Sequence, residues 1–217
     1  DLLVPPESKT ELLKRVSAAT FKAVAKSPEI SINFHKGSPK VDQDTAYLPE
    51  TPSKITSEQL REYRGTLDSL ALRERYHDKK IFASHVPQNA EARSVFEAIE
   101  QVRYEGLGAR RMIGVAKNLT ALISEDYRAK GYETITKKDN EQISDVISLL
   151  AREALFGVKI PKNAEPLMNL WRAKILPKIE KKLAKLNQSV HDQNEFSHIT
   201  NDILRTLEFT IDDDTSS

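Results

Sequence analysis

Residues 92–108 read ARSVFEAIEQVRYEGLG and carry apolar side chains at helical intervals. The apolar positions fall three or four residues apart, which is the spacing of one buried helix face. They are Ala92, Val95, Phe96, Ile99 and Val102. A helix is therefore predicted here, ending at about residue 107. Because stripes of the same period recur along most of the chain, this pattern decides the fold class.

Six further apolar stripes predict helices at residues 8–26, 56–77, 115–131, 139–156, 163–186 and 192–207. Ser8 and Thr56 each begin a capping-box spacing, and Gly131 and Gly157 are typical of helix ends. Pro177 predicts a kink or a fresh start in its helix. The first helix is expected to bury a stripe made of Leu12, Leu13, Val16, Ala19 and Ala23.

Residues 28–52 have a different pattern, with four prolines and the alternating apolar residues Ile30, Ile32 and Phe34. Such alternation indicates extended structure. The sequence thus predicts a predominantly all-α fold, a multi-helix bundle of about seven helices with one short extended or β segment near residues 28–52. Residues 1–209 are expected to form one helical domain, and residues 210–217 to begin an acidic linker that is cut short.

Three glycines, Gly106, Gly108 and Gly114, interrupt good helix-forming neighbours. Each glycine costs about 1 kcal/mol in a helix interior, so its presence there needs a reason. The sequence predicts a close helix crossing, a kink or a turn in this region.

Composition excludes several classes of protein. The 33 basic and 32 acidic residues leave a formal net charge of +1, so the chain has no overall field that would attract nucleic acid or an anionic membrane. The absence of cysteine excludes disulfides, thiolate metal sites and cysteine nucleophiles. No apolar run approaches the roughly 18 residues of a membrane span. These features favour a cytoplasmic protein.

No catalytic or cofactor motif is present: the phosphate-binding loop, the D-x-S-x-S metal loop, H-E-x-x-H, G-x-S-x-G and a plausible dinucleotide fingerprint are all missing. The five histidines lack metal-ligand spacing, although His191 and His198 could share a helix face. We therefore predict no metal site and no bound cofactor, with ligation by imidazole alone as the alternative.

A lysine face is predicted on the helix that contains Trp171. Its members recur at helical spacing, opposite the apolar stripe. They are Lys174, Lys178, Lys181, Lys182 and Lys185. This face is either a solvated helix surface or the binding surface for an anionic partner.

The densest polar cluster surrounds the first two glycines and comprises Glu97, Glu100, Gln101, Arg103, Tyr104, Glu105, Arg110 and Arg111. Intrahelical pairs of Glu100 with Arg103 and of Glu97 with Gln101 would account for it. Alternatively, its arginines bind carboxylates of a partner or substrate. The candidate partner- or substrate-binding residues are Arg103, Glu105, Arg110, Arg111, Lys174, Lys178, Lys181 and Lys185.

The segment ARSVFEAIEQVRYEGLGARRMIGVA, residues 92–116, closely resembles the amino-terminal region of CobT, the T subunit of aerobic cobaltochelatase. Its most specific part is the pattern E-Q-x-R-x-E-x-x-G-A-R-R-M at residues 100–112. The stretches LDSLALRERYHD (residues 67–78), LLAREALFG (149–157) and DQNEF (192–196) are similar to the same family in the same order. The resemblance covers roughly residues 8–209.

The resemblance implies a part in the ATP-dependent insertion of Co²⁺ into hydrogenobyrinic acid a,c-diamide during cobalamin biosynthesis. The implied partners are the AAA+ ATPase S subunit and the large N subunit, in a complex that uses ATP and Mg²⁺ and takes Co²⁺ as substrate. In the family, an acidic linker leads to a carboxy-terminal integrin-I-like domain that carries the metal-ion loop, and we expect the chain to stop before it. The resemblance assigns no catalytic residue to this region.

Three roles remain open. The region is an assembly module that is not catalytic alone, a corrin- or cobalt-binding helical module, or an unrelated helical adaptor. Neither nucleic acid nor membrane is expected as a partner.

Overall fold

The computed structural model describes residues 6–212, and for residues 208–212 it describes only the helical backbone. This part of the chain contains eight α-helices and three strands, and it is 71% helical, so the predicted, predominantly all-α class is confirmed. The helices are α1 (Lys9–Ala25), α2 (Ser57–Tyr76), α3 (Lys79–His85), α4 (Ala90–Ala109), α5 (Ile113–Ala129), α6 (Ile143–Phe156), α7 (Glu165–Gln188) and α8 (Gln193–Asp212). The strands are β1 (Ser31–His35), β2 (Lys40–Asp42) and β3 (Thr45–Pro49).

The helix count exceeds the prediction by one because α3 lies in a stretch that the apolar pattern left as a turn. Asp78 caps this helix, and its Oδ1 accepts hydrogen bonds from the backbone N–H groups of Lys80 at 2.7 Å and Ile81 at 3.0 Å. A helix of seven residues is too short to show a repeating apolar stripe. The N-cap residue Asp78 is the sequence feature that could have indicated this helix.

The chain packs as two units. The first extends to Tyr76 and includes Arg111–Ile123; the second comprises His77–Arg110 and the residues from Ser124 onward. Helix α5 therefore contributes its first part to the first unit and its last part to the second. The predicted linker at residues 210–217 overlaps the end of α8, and residues 213–217 lie outside the described residues.

The first unit contains α1, α2, the start of α5 and a small sheet. The strand order is β1-β3-β2, with β1 parallel to β3 and β2 antiparallel to it. Ala46 and Leu48 of β3 are fully buried on one face. The extended segment predicted near residues 28–52 is therefore confirmed.

The stripe predicted for α1 is wrong. The helix instead buries Ser17, Phe21, Val24 and Ala25. Leu12 and Val16 remain 44% and 38% exposed. The two stripes lie on different sides of the helix, and the side that packs into the unit is the one that carries Phe21 and Val24.

Close approach of α2 to the start of α5 depends on Gly65. A Cβ atom on Gly65 would lie 2.5 Å from the Asn118 carbonyl oxygen and 2.9 Å from Leu122 Cβ. Beside this contact, Asn118 Nδ2 donates to Asp68 Oδ2 at 2.8 Å. The two helices therefore touch through backbone at this point.

The second unit packs α4 against α6 and α8, α7 against α6 and α8, and α3 against α8. Gly106 allows the Phe156 ring to lie directly on α4, since an added Cβ would come within 2.0 Å of that ring. The predicted close crossing is thus confirmed at Gly106. Gly131 and Gly157 follow α5 and α6 with positive φ angles of 73° and 64°, as expected for helix ends.

Helix α7 runs without interruption through Pro177, so no fresh start occurs there. The apolar stripe predicted for this helix comprises Leu167, Leu170, Trp171, Ile175, Ile179, Leu183 and Leu186. It is confirmed except at Leu170, which is only half-buried. Within the described residues, none of the helices is both long and apolar enough to cross a membrane.

Replacing Gly65 by alanine is expected to lower the free energy of unfolding by about 1–3 kcal/mol, because the new methyl group must displace the Asn118 carbonyl. Gly114→Ala is the matched control, since Gly114 lies in the same unit and an added Cβ there meets nothing within 4 Å. Urea unfolding followed by far-UV circular dichroism compares the two. Equal stabilities would contradict the close approach of α2 and α5.

Candidate functional site

The carboxy-terminal half of α4 is enclosed on every side. Residues 102–108 are all buried, whereas a surface helix would bury one stripe. The polar residues of the predicted cluster that fall on this half therefore lie inside the second unit. Asn89 fixes the start of the helix, because its side chain accepts a hydrogen bond from the backbone N–H of Ala92 at 3.0 Å.

Arg103 is the centre of a buried hydrogen-bond network and is only 2% exposed. Its Nε and Nη2 atoms both donate to the Glu100 carboxylate, at 2.8 Å each. Nη1 donates to the Val190 carbonyl at 3.2 Å, and Nη2 also donates to Gln193 Oε1 at 3.0 Å. The predicted pairing of Glu100 with Arg103 is confirmed, and it neutralises a charge that would otherwise be costly to bury.

Two further side chains extend this network to the start of α3. His77 Nδ1 lies 2.8 Å from Glu100 Oε1, and its ring contacts Phe82 edge-on at a centroid distance of 5.0 Å. Gln193 Oε1 accepts from the Asp78 N–H at 2.7 Å, while its Nε2 donates to the Asp78 carbonyl at 3.0 Å. We call His77, Asp78, Glu100, Arg103 and Gln193 the Arg103 network. It joins α3, α4 and α8.

Glu105 forms a second buried ion pair, in which Arg152 Nη2 donates to its Oε2 at 2.7 Å. Its other oxygen accepts from Gln101 Nε2 at 2.8 Å. The predicted pairing of Gln101 with Glu97 is therefore wrong, because Gln101 reaches the next turn along α4. Glu105 is 1% exposed and binds within its own unit.

The two remaining arginines of the cluster are exposed. Arg110 donates to the Leu155 carbonyl at 2.9 Å, and its guanidinium lies 4.6 Å from the centroid of the Phe156 ring. Arg111 belongs to the first unit. Partner or substrate binding by the cluster stays a prediction, and in this fold only Arg110 and Arg111 offer it accessible guanidinium groups.

The lysine face lies on the outer side of α7. Lys178, Lys181 and Lys185 are exposed, and Lys174 is half-buried. Lys182 is fixed to α8, because its Nζ donates to the Asp202 carbonyl at 3.2 Å and to Thr206 Oγ1 at 2.7 Å. The structure therefore brings together all four lysines predicted as binding residues.

Lys138 joins the lysine face, although it precedes α6 in the chain. Its Nζ lies 5.4 Å from the Trp171 ring centroid, and Lys174 Nζ lies 6.0 Å from the same ring. The ring is held in place because Trp171 Nε1 donates to Gln142 Oε1 at 2.7 Å. Sequence reasoning missed Lys138 because only folding brings it to α7.

Crowding of positive charge affects the titration of Lys174. Removal from water, and then repulsion by Lys138 and Lys178, lower the pKa of the Lys174 ammonium group. An anion bound at this end of the face would relieve that repulsion. The arrangement therefore suits a negatively charged partner surface.

A cavity of about 530 Å³ lies in the second unit, where α4 and α6 begin. Apolar groups such as Val95, Leu204 and Leu207 line part of it, and Glu91 and Glu141 add two carboxylates. These carboxylates disfavour an anionic ligand. Within the described part of the chain, no group of three or more His, Cys, Asp or Glu side chains is placed to hold a metal ion.

A sequence model of the family described as "Cobalamin biosynthesis protein CobT" matches residues 7–217. The chain belongs to the CobT family. It is therefore a cobalamin biosynthesis protein, from the family that provides a subunit of cobaltochelatase. No solved structure matches it. The pattern at residues 100–112 that carried the resemblance contains Glu100, Arg103 and Glu105, which in this CobT-family chain form the buried ion pairs of α4.

Glu100→Leu is expected to destabilise the second unit by about 3–5 kcal/mol, because it leaves the buried Arg103 without its carboxylate. The double variant Glu100→Leu/Arg103→Met is expected to recover part of this loss, since both charges are then absent. Urea unfolding followed by the fluorescence of Trp171, the only tryptophan, compares the variants. A double variant less stable than Glu100→Leu would contradict the ion-pair interpretation.

Lys174 is expected to react with amine-acylating reagents faster than Lys185 at mildly alkaline pH, because a lowered pKa leaves more of it as the neutral amine. Mass spectrometry after brief labelling measures both rates in one sample. Lys138→Gln removes one repelling charge and should slow the Lys174 reaction while leaving Lys185 unchanged. If Lys138→Gln instead makes Lys174 react faster relative to Lys185, repulsion between Lys138 and Lys174 is refuted.

Proposed function

We propose that this CobT-family chain is a non-ATPase subunit of the ATP-dependent aerobic cobaltochelatase, which inserts Co²⁺ into hydrogenobyrinic acid a,c-diamide. In this proposal the described region is an assembly module that docks on the AAA+ ATPase S subunit, with the large N subunit as the second partner. Family membership supports the place in cobalamin biosynthesis. The lysine face is the observation that carries the docking role.

Docking through the lysine face follows from how α7 is built. One side of the helix is buried in the core. The outer side therefore presents Lys178, Lys181 and Lys185 in a row at helical spacing. Such a row attracts a surface rich in Asp and Glu and orients it along the helix axis. Lys138 and Lys174 raise the density of positive charge at one end of the row.

In this proposal, ATP hydrolysis is carried out by another subunit of the complex. The sequence has no phosphate-binding loop, so we assign ATP and Mg²⁺ to the ATPase partner and expect no cofactor on this region. Co²⁺ and the corrin are substrates of the whole complex. The region alone is then not catalytic, and its place is in the cytoplasm with its partners.

The alternative from a different class is direct binding of corrin or cobalt. The exposed guanidinium groups of Arg110 and Arg111 favour it, because they could bind corrin carboxylates. The cavity does not, since it carries carboxylates of its own. Family membership removes the third possibility, an unrelated helical adaptor.

Charge reversal at Lys178, Lys181 and Lys185 is expected to weaken binding to the S subunit by about tenfold or more, because it replaces attraction by repulsion. Binding of the full chain to the purified S and N subunits, with and without ATP, is measured by surface plasmon resonance. Reversal of Lys79, Lys80 and Lys159 is the matched control, since these exposed lysines lie in the same unit and change the net charge equally.

Unchanged affinity in the lysine-face variant would overturn the assigned surface. Binding to neither subunit would overturn the docking role itself. Binding of the isolated corrin, lost on replacing Arg110 and Arg111, would instead favour the alternative.

A further inference from the structure

Two histidines far apart in the sequence meet in the second unit. His85 is the last residue of α3 and His198 lies on α8, and their ring centroids are 4.5 Å apart at an interplanar angle of 75°. The end of α3 is fixed there, because Asn201 Nδ2 donates to the His85 carbonyl at 3.0 Å. The contact is therefore built by the packing of α3 on α8.

Asn194 determines which nitrogen of His85 carries a proton. Its Oδ1 lies 2.7 Å from His85 Nε2, and an amide oxygen can only accept. Nε2 therefore donates, and the neutral ring keeps its lone pair on Nδ1. Metal-binding histidines are oriented in this way, with one ring nitrogen donating to an oxygen and the other free to bind the ion.

Helix α8 presents the remaining groups on one face. Asn194 and His198 are four residues apart, so both side chains lie toward the end of α3. His198 is exposed and His85 is half-buried, so an ion could reach the pair from solvent. No third His, Asp or Glu within reach completes a cluster in the described part of the chain, which leaves the other coordination positions to water.

We propose that His85 and His198 form a two-imidazole binding site for a divalent transition-metal ion. Imidazole nitrogen suits Co²⁺, Ni²⁺, Cu²⁺ and Zn²⁺, whereas Mg²⁺ and Ca²⁺ require oxygen ligands. With water in the remaining positions the ion exchanges readily, so the site captures metal transiently. This inference does not depend on the proposed docking role, since the histidine pair and the lysine face are separate sets of residues.

The other histidines do not share this geometry. His77 is enclosed in the Arg103 network, where its Nδ1 contacts Glu100. His35 lies in the first unit, where its Nδ1 accepts from the Gly37 N–H at 3.2 Å. His191 is exposed in the turn before α8 and makes no ring contact among the described residues, which makes it the matched control.

Isothermal titration of the untagged chain with Ni²⁺, Zn²⁺ and Co²⁺ tests the site. We expect one ion per chain, an affinity at least about tenfold weaker in His85→Gln and in His198→Gln, and no change in His191→Gln. Asn194→Ala should weaken metal binding about tenfold, because His85 then loses the oxygen that orients its ring. Asn194→Asp should keep the affinity, because it supplies an oxygen at the same position. Affinity that survives both histidine variants would overturn the proposal.

A second measurement avoids dependence on the folding of variants. Histidine ring signals of the unmodified chain are followed by nuclear magnetic resonance as Zn²⁺ is added. Shifts confined to His85 and His198 support the site. Shifts at His191 or His77 instead, or no shift at all, overturn it.

Discussion

Burial of the Arg103 guanidinium is the constraint on which the second unit depends. An arginine charge removed from water costs several kcal/mol unless every donor finds an acceptor, so the fold must bring those acceptors to α4. Glu100 comes from the same helix, but the Val190 carbonyl and Gln193 come from the turn and first residue of α8. Gln193 then clamps the backbone of Asp78 and fixes where α3 begins. The Arg103 network thereby joins three helices, with Arg103 linking α4 to α8 and Gln193 linking α8 to the start of α3.

The same constraint bears on the sequence pattern at residues 100–112, most of which folds into the second unit. If the glutamates and arginines of this pattern lay on the surface, they would suggest recognition of a charged partner. In the fold, Glu100 and Arg103 neutralise each other, Glu105 binds Arg152, and Gly106 makes room for the Phe156 ring. Most of this pattern therefore serves the interior of the second unit. Arg110 and Arg111 are its exposed charged members, and the lysine face lies apart from it on α7.

Sequence periodicity predicted those helices that carry a single apolar stripe, and α7 is the clearest case. It also predicted helix α1 but assigned the wrong buried face, because that helix carries apolar residues on two sides. It did not predict α3, which is too short to have a period. The lysine face was predictable because its members share one helix. Three other features could not be predicted from the sequence, because each depends on a residue from a distant element. These are the position of Lys138 beside α7, the burial of Arg103, and the contact between His85 and His198.

The packing of α7 in the second unit affects the lysine face on its outer side. Trp171 donates a hydrogen bond to Gln142, and Lys182 donates to α8, so contacts within the unit fix α7 on both sides of Lys174, Lys178 and Lys181. A partner that meets this row gains from a helix backbone that is already ordered, although each exposed lysine side chain still loses rotamer freedom in binding. Removal from water is the larger cause of the lowered pKa of Lys174, and repulsion by Lys138 and Lys178 lowers it further. An acidic partner surface of the kind proposed would offset that repulsion on binding.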